Sequence, residues 1–274
     1  MRKIGIGAVL VVVLLVGGAY WFLHQPEFQV NVPEYQDPPE EVIRAQQGWT
    51  DDQRLHFHHT AQGTRLVPYE WFMALEQPCF SLFGCDLFSR KTYLARFGFL
   101  TSQTDSKLNP DGLPIGFARQ VDFYDPETKE THAVVGLTCA ACHTGELHYG
   151  KYAVQVDGAP AMIEVTEFQK ALLLSMGFTK LIPFRYGRFE KRVLGPNASE
   201  QQKADLKHSF EAFLDAGKFE LDNTKPGKGI YDNPAGFDRT DALTRIGNQV
   251  FAVDMKNAAN FAAANAPVRF RRVR

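Results

Sequence analysis

The sequence predicts a mainly α-helical domain with long irregular loops, preceded by an N-terminal transmembrane helix. Three observations carry this expectation. Twenty residues, Ile4 to Leu23, contain no charge. Helix-start signals recur through the rest of the chain. Between them lie stretches rich in Pro, Gly, Asn and Asp, which is turn chemistry.

At about 1.5 Å per residue, a helix over residues 4–23 matches the hydrocarbon thickness of a bilayer. Arg2 and Lys3 stand before it, so the positive-inside rule leaves the N-terminus in the cytoplasm and carries the body of the protein across. The expectation is a single pass through the inner membrane with the domain in the periplasm. Gly17, Gly18 and Ala19 also offer a signal-peptidase site, which would release a soluble periplasmic protein. Tyr20, Trp21, Phe22 and Leu23 extend the apolar run to the far interface and argue for retention. Residues 24–46 then read as an extended linker, with prolines at 26, 33, 38 and 39 making it a semi-rigid spacer.

The remainder, 47–267, has the composition of a chain that buries a core, 45% hydrophobic and 22% charged overall. Lys and Arg number 30 against 31 Asp and Glu, so charge gives no reason to expect a nucleic-acid partner. The 22 Phe suit an aromatic core or the edge of a flat cofactor.

Within this domain Thr50, Asp51 and Asp52 start a helix that runs to Thr60 and stops by Gly63. Pro68 opens a second short helix through Glu76. Asn109 to Gly116 is an ordered loop, and residues 118–136 alternate enough for a hairpin. Met162 to Phe178, Ala198 to Lys218 (capped by Asn197) and Asp241 to Val253 complete the helices.

The chain has four cysteines, in two pairs. Cys79 and Cys85 most simply close a small disulfide loop in an oxidising compartment, the other reading being two buried thiols. Cys139 and Cys142 are followed at once by His143. Two thiols three positions apart on one turn reach the two vinyl groups of a haem, and the adjacent imidazole, His143, then ligates the iron. The implied cofactor is covalently attached haem c. Chance would produce this string only about 0.002 times in a chain of this composition. Three other readings of the pair are a zinc site with His148, a thioredoxin-like dithiol and a plain disulfide. The zinc site lacks the long spacing between ligand pairs. The dithiol needs a C-x-x-C just after a strand, at a helix N-terminus in a βαβ pattern, and no such pattern is visible around Cys139.

His56, His58 and His59 fall in one predicted helix. They read as a solvated or partly packed face rather than a metal cluster, because no carboxylate or cysteine partner follows by spacing. Met73, Met162, Met176, Met255, His132 and His148 are candidates for a sixth iron ligand. Without one the coordination position is open.

Beyond the haem motif, Gln62-Gly63-Thr64, Pro68 to Phe72, Leu75-Glu76, Asn109 to Phe117, Gly136 to Gly145 and Asp241 to Asn248 resemble exported proteins related to the bacterial di-haem cytochrome c peroxidases, in the branch that includes rubber oxygenases. The resemblance runs from Gln47 to Pro267 and covers the N-terminal part of such proteins. It implies cytochrome c-like haem domains, two haems, and peroxide reduction or oxidative cleavage. This chain departs from it in having a single C-x-x-C-H and in ending on a basic tail, 268–274, after Pro267. The expectation is a shortened or frame-shifted form, the alternative a short mono-haem relative.

Function is thus expected to be electron transfer by a membrane-anchored cytochrome, with a redox protein or quinol-linked donor as partner. The alternative is a haem-dependent peroxidase or oxygenase, an oxidoreductase with an open iron position.

Overall fold

A computed structural model describes residues 29–35, 37–105, 107–125 and 129–223, with isolated positions at 17, 18, 25, 247, 250, 251, 255, 257 and 259. The chain divides into two compact units, Met1–Asn31 and Val32–Arg274. The first lies almost wholly outside the described residues.

In chain order the elements are β1 (Glu41–Arg44), α1 (Asp51–His59), β2 (Val67–Pro68), α2 (Tyr69–Ala74), α3 (Lys91–Ala95), β3 (Phe117–Asp125), β4 (Glu130–Leu137), α4 (Cys139–Cys142), β5 (Thr144–Tyr149), β6 (Tyr152–Asp157), α5 (Val165–Leu181), α6 (Arg185–Leu194) and α7 (Glu200–Asn223). The strands form two three-stranded sheets, β1-β6-β5 and β2-β4-β3. β1 runs parallel to β6, with Glu41 opposite Tyr152, and every other pairing is antiparallel. α4 is the link between the sheets: β4 leaves one at Leu137 and β5 enters the other at Thr144.

The expected mainly α fold is therefore corrected to a mixed α and β one. The reason is local. The 117–137 hairpin follows from its alternation, but Thr144 to Asp157 also pairs as a hairpin. In β6 the buried residues Ala153, Gln155 and Asp157 alternate with more open ones, a period of two that polar Gln and Asp conceal from a hydrophobicity reading. Residues 41–44, at the end of the expected linker, form β1.

The transmembrane reading is corrected as well. Among the described residues no helix is long and apolar enough to cross a membrane. The expected anchor over 4–23 lies outside those residues save Gly17 and Gly18. The single-pass inner-membrane placement is corrected with it. The helix over 241–253 and the tail over 268–274 fall outside the described residues too, apart from Gly247, Val250 and Phe251.

α1 carries the expected cap. Thr50 Oγ1 accepts from Gln53 N, and the Gln53 side chain accepts from Thr50 N, a reciprocal capping box. α7 starts two residues later than expected, because Ser199 and Gln202 make the same pair of bonds and Asn197 lies outside the helix. α2 spans less than expected and stops at Ala74, with Leu75 already extended.

Aromatic rings fill the core. Phe168 on α5, fully buried, meets Phe88, Phe97, Phe99 and Phe117 at centroid distances of 5.0 to 5.9 Å. Trp71 on α2 meets Phe189 of α6 and Phe210 and Phe213 of α7. Such edge and tilted pairs contribute about 0.5–1.5 kcal/mol each beyond their burial. These phenylalanines are committed to packing.

Candidate functional site

The Cys139 to His143 segment is positioned by its neighbours on both sides. Thr138 caps α4 by accepting from Ala140 N. Its own N–H donates to Gly116 O, and its hydroxyl to His58 O at 3.1 Å. Gln62 accepts from Cys139 N at 2.8 Å. At the far end Ala161 N donates to Cys142 O and Gly158 N to His143 O, at 3.0 and 2.7 Å. Gly116 permits this closeness: its φ is +88°, and a Cβ there would lie 2.3 Å from Ala141 Cα, so only glycine fits.

These contacts orient the motif. Ala140 and Ala141 are buried, at 1% and 3% exposure, Cys139 is exposed and Cys142 half-buried. Both cysteines remain thiols. The His143 imidazole, half-buried at the end of α4, makes no hydrogen bond with the described residues. The alanine side packs and the sulfur side opens outward. A donor set of two accessible thiols on one turn, with an adjacent uncommitted imidazole, fits a haem held by thioether bonds.

The other readings of the pair separate on the same geometry. Among the described residues no group of three or more His, Cys, Asp or Glu side chains converges to hold a metal ion, which corrects the expectation of metal binding. His148 is bonded to Glu146 at 2.7 Å on exposed β5, so the four-ligand zinc site is not built. The dithiol reading gains, because Cys139 opens a helical turn directly after strand β4.

Next to the motif lies a buried charged network that its spacing conceals. Asp157, at the end of β6, accepts from Arg54 Nη1 at 2.5 Å and from His58 Nε2 at 2.6 Å. Its Oδ1 also accepts from Thr144 Oγ1 at 3.4 Å, and its backbone exchanges two bonds with the Gln47 side chain. Arg54 further donates to Ala45 O. Burial lowers the His58 pKa, against the hydrogen bond and charge of Asp157, which raise it. The neutral ring therefore donates Nε2–H to the carboxylate.

His59 turns the other way. Nδ1 donates to Phe117 O and Nε2 accepts from the Ser102 hydroxyl, both at 2.7 Å, and burial lowers its pKa too. Of the three-histidine cluster, only His56 lies on a solvated face, bonded to Thr60. His58 and His59 are 4% and 1% exposed, packed rather than solvated. The i, i+4 pair Arg54 and His58 was the available signal, since it puts both on one helix face.

Along α1, Gln47, Gly48, Trp49, Gln53, His56 and Phe57 line an open cleft of about 680 Å³. Gln47 ties it to Asp157. Candidate sixth ligands are dispersed: Met73 is half-buried on α2, Met176 fully buried in α5, Met162 and Met255 exposed. His132 meets Phe123 edge to face.

A second buried carboxylate, Glu76, organises the opposite pair of cysteines, which form the expected Cys79–Cys85 disulfide. Arg188 and Arg192 of α6 donate to its oxygens at 2.8 to 2.9 Å, and Cys85 N at 3.2 Å. Arg185 donates to the carbonyls of Glu76, Gln77 and Cys79. Burial raises the Glu76 pKa, but Arg188, Arg192 and the Cys85 N–H outweigh it and hold the carboxyl at about 2.

No family model matches this chain, and no solved structure does. It is similar to an uncharacterized protein, y4iJ, of Sinorhizobium fredii (strain NBRC 101917 / NGR234), with 42% identity over 271 residues, covering 94% of this chain. The chain spans 44% of the length of that relative.

Proposed function

We propose that this chain is a c-type cytochrome module, with haem joined to Cys139 and Cys142, His143 as iron ligand, and single-electron transfer as its task. The observation that carries the reading is the thiol pair on one turn, Cys139 exposed and Cys142 half-buried, followed by an imidazole with no hydrogen-bonding partner among the described residues. Bound haem would supply the one-electron chemistry. The chain's own residues do the rest: Thr138 and Gln62 anchor the start of the turn, Gly158 and Ala161 its end, and the buried alanines exclude water beneath it. The reading extends to a longer di-haem, peroxidase-like protein of which this would be the N-terminal part. In support, more than half of the Sinorhizobium relative lies outside the match.

Expression of the full chain alongside a haem-attachment system tests this. Denatured wild-type protein should keep a haem stain on a gel, and the Cys139→Ala, Cys142→Ala double variant should lose it. Wild-type chain without stain would contradict the assignment.

One observation favours a second reading. A strand leading into a helical turn that opens on an exposed cysteine, with a half-buried cysteine three residues on, shares the strand-to-helix approach of a dithiol oxidoreductase, though β4 and β5 lie in different sheets and form no βαβ unit. In that case the thiols would exchange with disulfides and carry no cofactor. The same gel separates the two.

A further inference from the structure

The pentapeptide sits inside a closed ring of contacts. Thr138, immediately before it, donates its hydroxyl to His58 O. Thr144, immediately after it, donates to Asp157 Oδ1. His58 and Asp157 are bonded to each other at 2.6 Å. Every side chain in the ring is buried: Thr138 and His58 are 4% exposed, Thr144 1% and Asp157 4%. Arg54, 6% exposed, bonds to the second Asp157 oxygen and closes the charge balance.

Simple packing would not require this. A four-residue helix between two sheets could be tethered by its backbone alone, as its far end already is through Gly158 and Ala161. Instead, the Thr138 hydroxyl meets the backbone carbonyl of His58 on α1, and the Thr144 hydroxyl meets the Asp157 carboxylate on β6, which the His58 imidazole also bonds. The residues 58 and 157 are far apart in sequence, so the ring forms only when the two sheets and α1 have all assembled.

From this we infer that Asp157 and His58, through Thr144 and Thr138, are positioning residues for the His143 imidazole, fixing the orientation with which it meets the iron. The inference rests on the haem reading above. These residues act on His143 through the backbone on either side of it and not by a bond to the imidazole, so breaking the ring of contacts loosens the segment that carries the ligand. Asp157 matters most among them, because one of its oxygens bonds both His58 and Thr144 and the other bonds Arg54.

The experiment is a midpoint-potential titration of the haem-loaded full chain, with attached haem per polypeptide measured by mass. Thr144→Val removes one hydroxyl and keeps the shape. It should shift the midpoint potential away from the wild-type value. Thr144→Ser should return the wild-type value. Asp157→Asn should move it further, and if that variant does not fold, Thr144→Val decides. The control is Thr179→Val, another buried hydroxyl bonded within α5, which should leave the potential where it was. Loss of haem from a Thr144→Val chain with wild-type circular dichroism also supports the ring. A loaded Thr144→Val with wild-type potential overturns the inference and leaves the haem reading standing. Wild-type chain without haem overturns that reading, and the inference falls with it.

Discussion

Asp157 and Glu76 are both single carboxylates buried beside arginine, yet they are built differently. Asp157 faces one guanidinium and one neutral imidazole, with Arg54 itself only 7% exposed along its side chain. Glu76 faces three arginines, and two of them, Arg188 and Arg192, keep 24% and 36% of their side chains in solvent. The first region has no reserve of solvation: remove one member and the rest are stranded. The second is partly open and tied by many backbone carbonyls. Sites that hold a functional turn in one geometry are expected to resemble the first, and sites that brace helices against a loop the second.

The largest break in that comparison is Asp157→Asn. It leaves Arg54 buried without its counter-charge, and loss of one member of such a pair costs about 3–5 kcal/mol. Chemical denaturation should report it. Glu76→Gln should cost less, about 1–3 kcal/mol as for an unmet buried partner, since Arg188 and Arg192 can rehydrate and Arg185 keeps its carbonyls. Equal losses from the two variants would mean that partial exposure does not cushion the Glu76 region.

Cys79→Ser with Cys85→Ser comes next. The cysteines are six residues apart, so in the chain-entropy picture closing that short loop stabilises the fold by about 2 kcal/mol. Reduction of the wild-type protein should lower its melting temperature by the same amount as the double variant, with no effect on the Cys139 to His143 turn.

Protonation separates the two regions most gently. His58 has a folded pKa below its ordinary 6.5. Its neutral form therefore favours the fold above pH 6.5, and that contribution fades as pH falls below 6.5 toward the folded value. Glu76 has a folded pKa of about 2 against an ordinary 4.5, so its contribution is full above 4.5 and is lost only between 4.5 and about 2. Hydrogen exchange, corrected for intrinsic rates, should loosen residues 138–144 between pH 7 and 5.5 while residues 76–85 hold. Loosening in the reverse order would contradict the assignment.

What was legible in the sequence is what depends on near neighbours. The Thr50 cap, the 117–137 hairpin, α5 and the Cys79–Cys85 bridge all follow from residues within a few positions of one another. The second hairpin escaped because Gln155 and Asp157 occupy buried places that a hydrophobic pattern expects to be apolar. His58 and His59 escaped because their partners, Asp157, Ser102 and Phe117, lie tens of residues away and spacing along one helix cannot reveal them. Ser199 was within reach: Ser-x-x-Gln is itself a helix-start signature, and Asn197 only resembled one. The strand before Cys139 was legible too, as the far arm of the expected hairpin.

The central claim is settled by the intact mass of the full chain made in cells that attach haem. The account predicts the polypeptide plus one haem, lost when Cys139 and Cys142 are alanine. An unmodified mass, or one lighter only by the hydrogens given up in a Cys139–Cys142 disulfide, would contradict it.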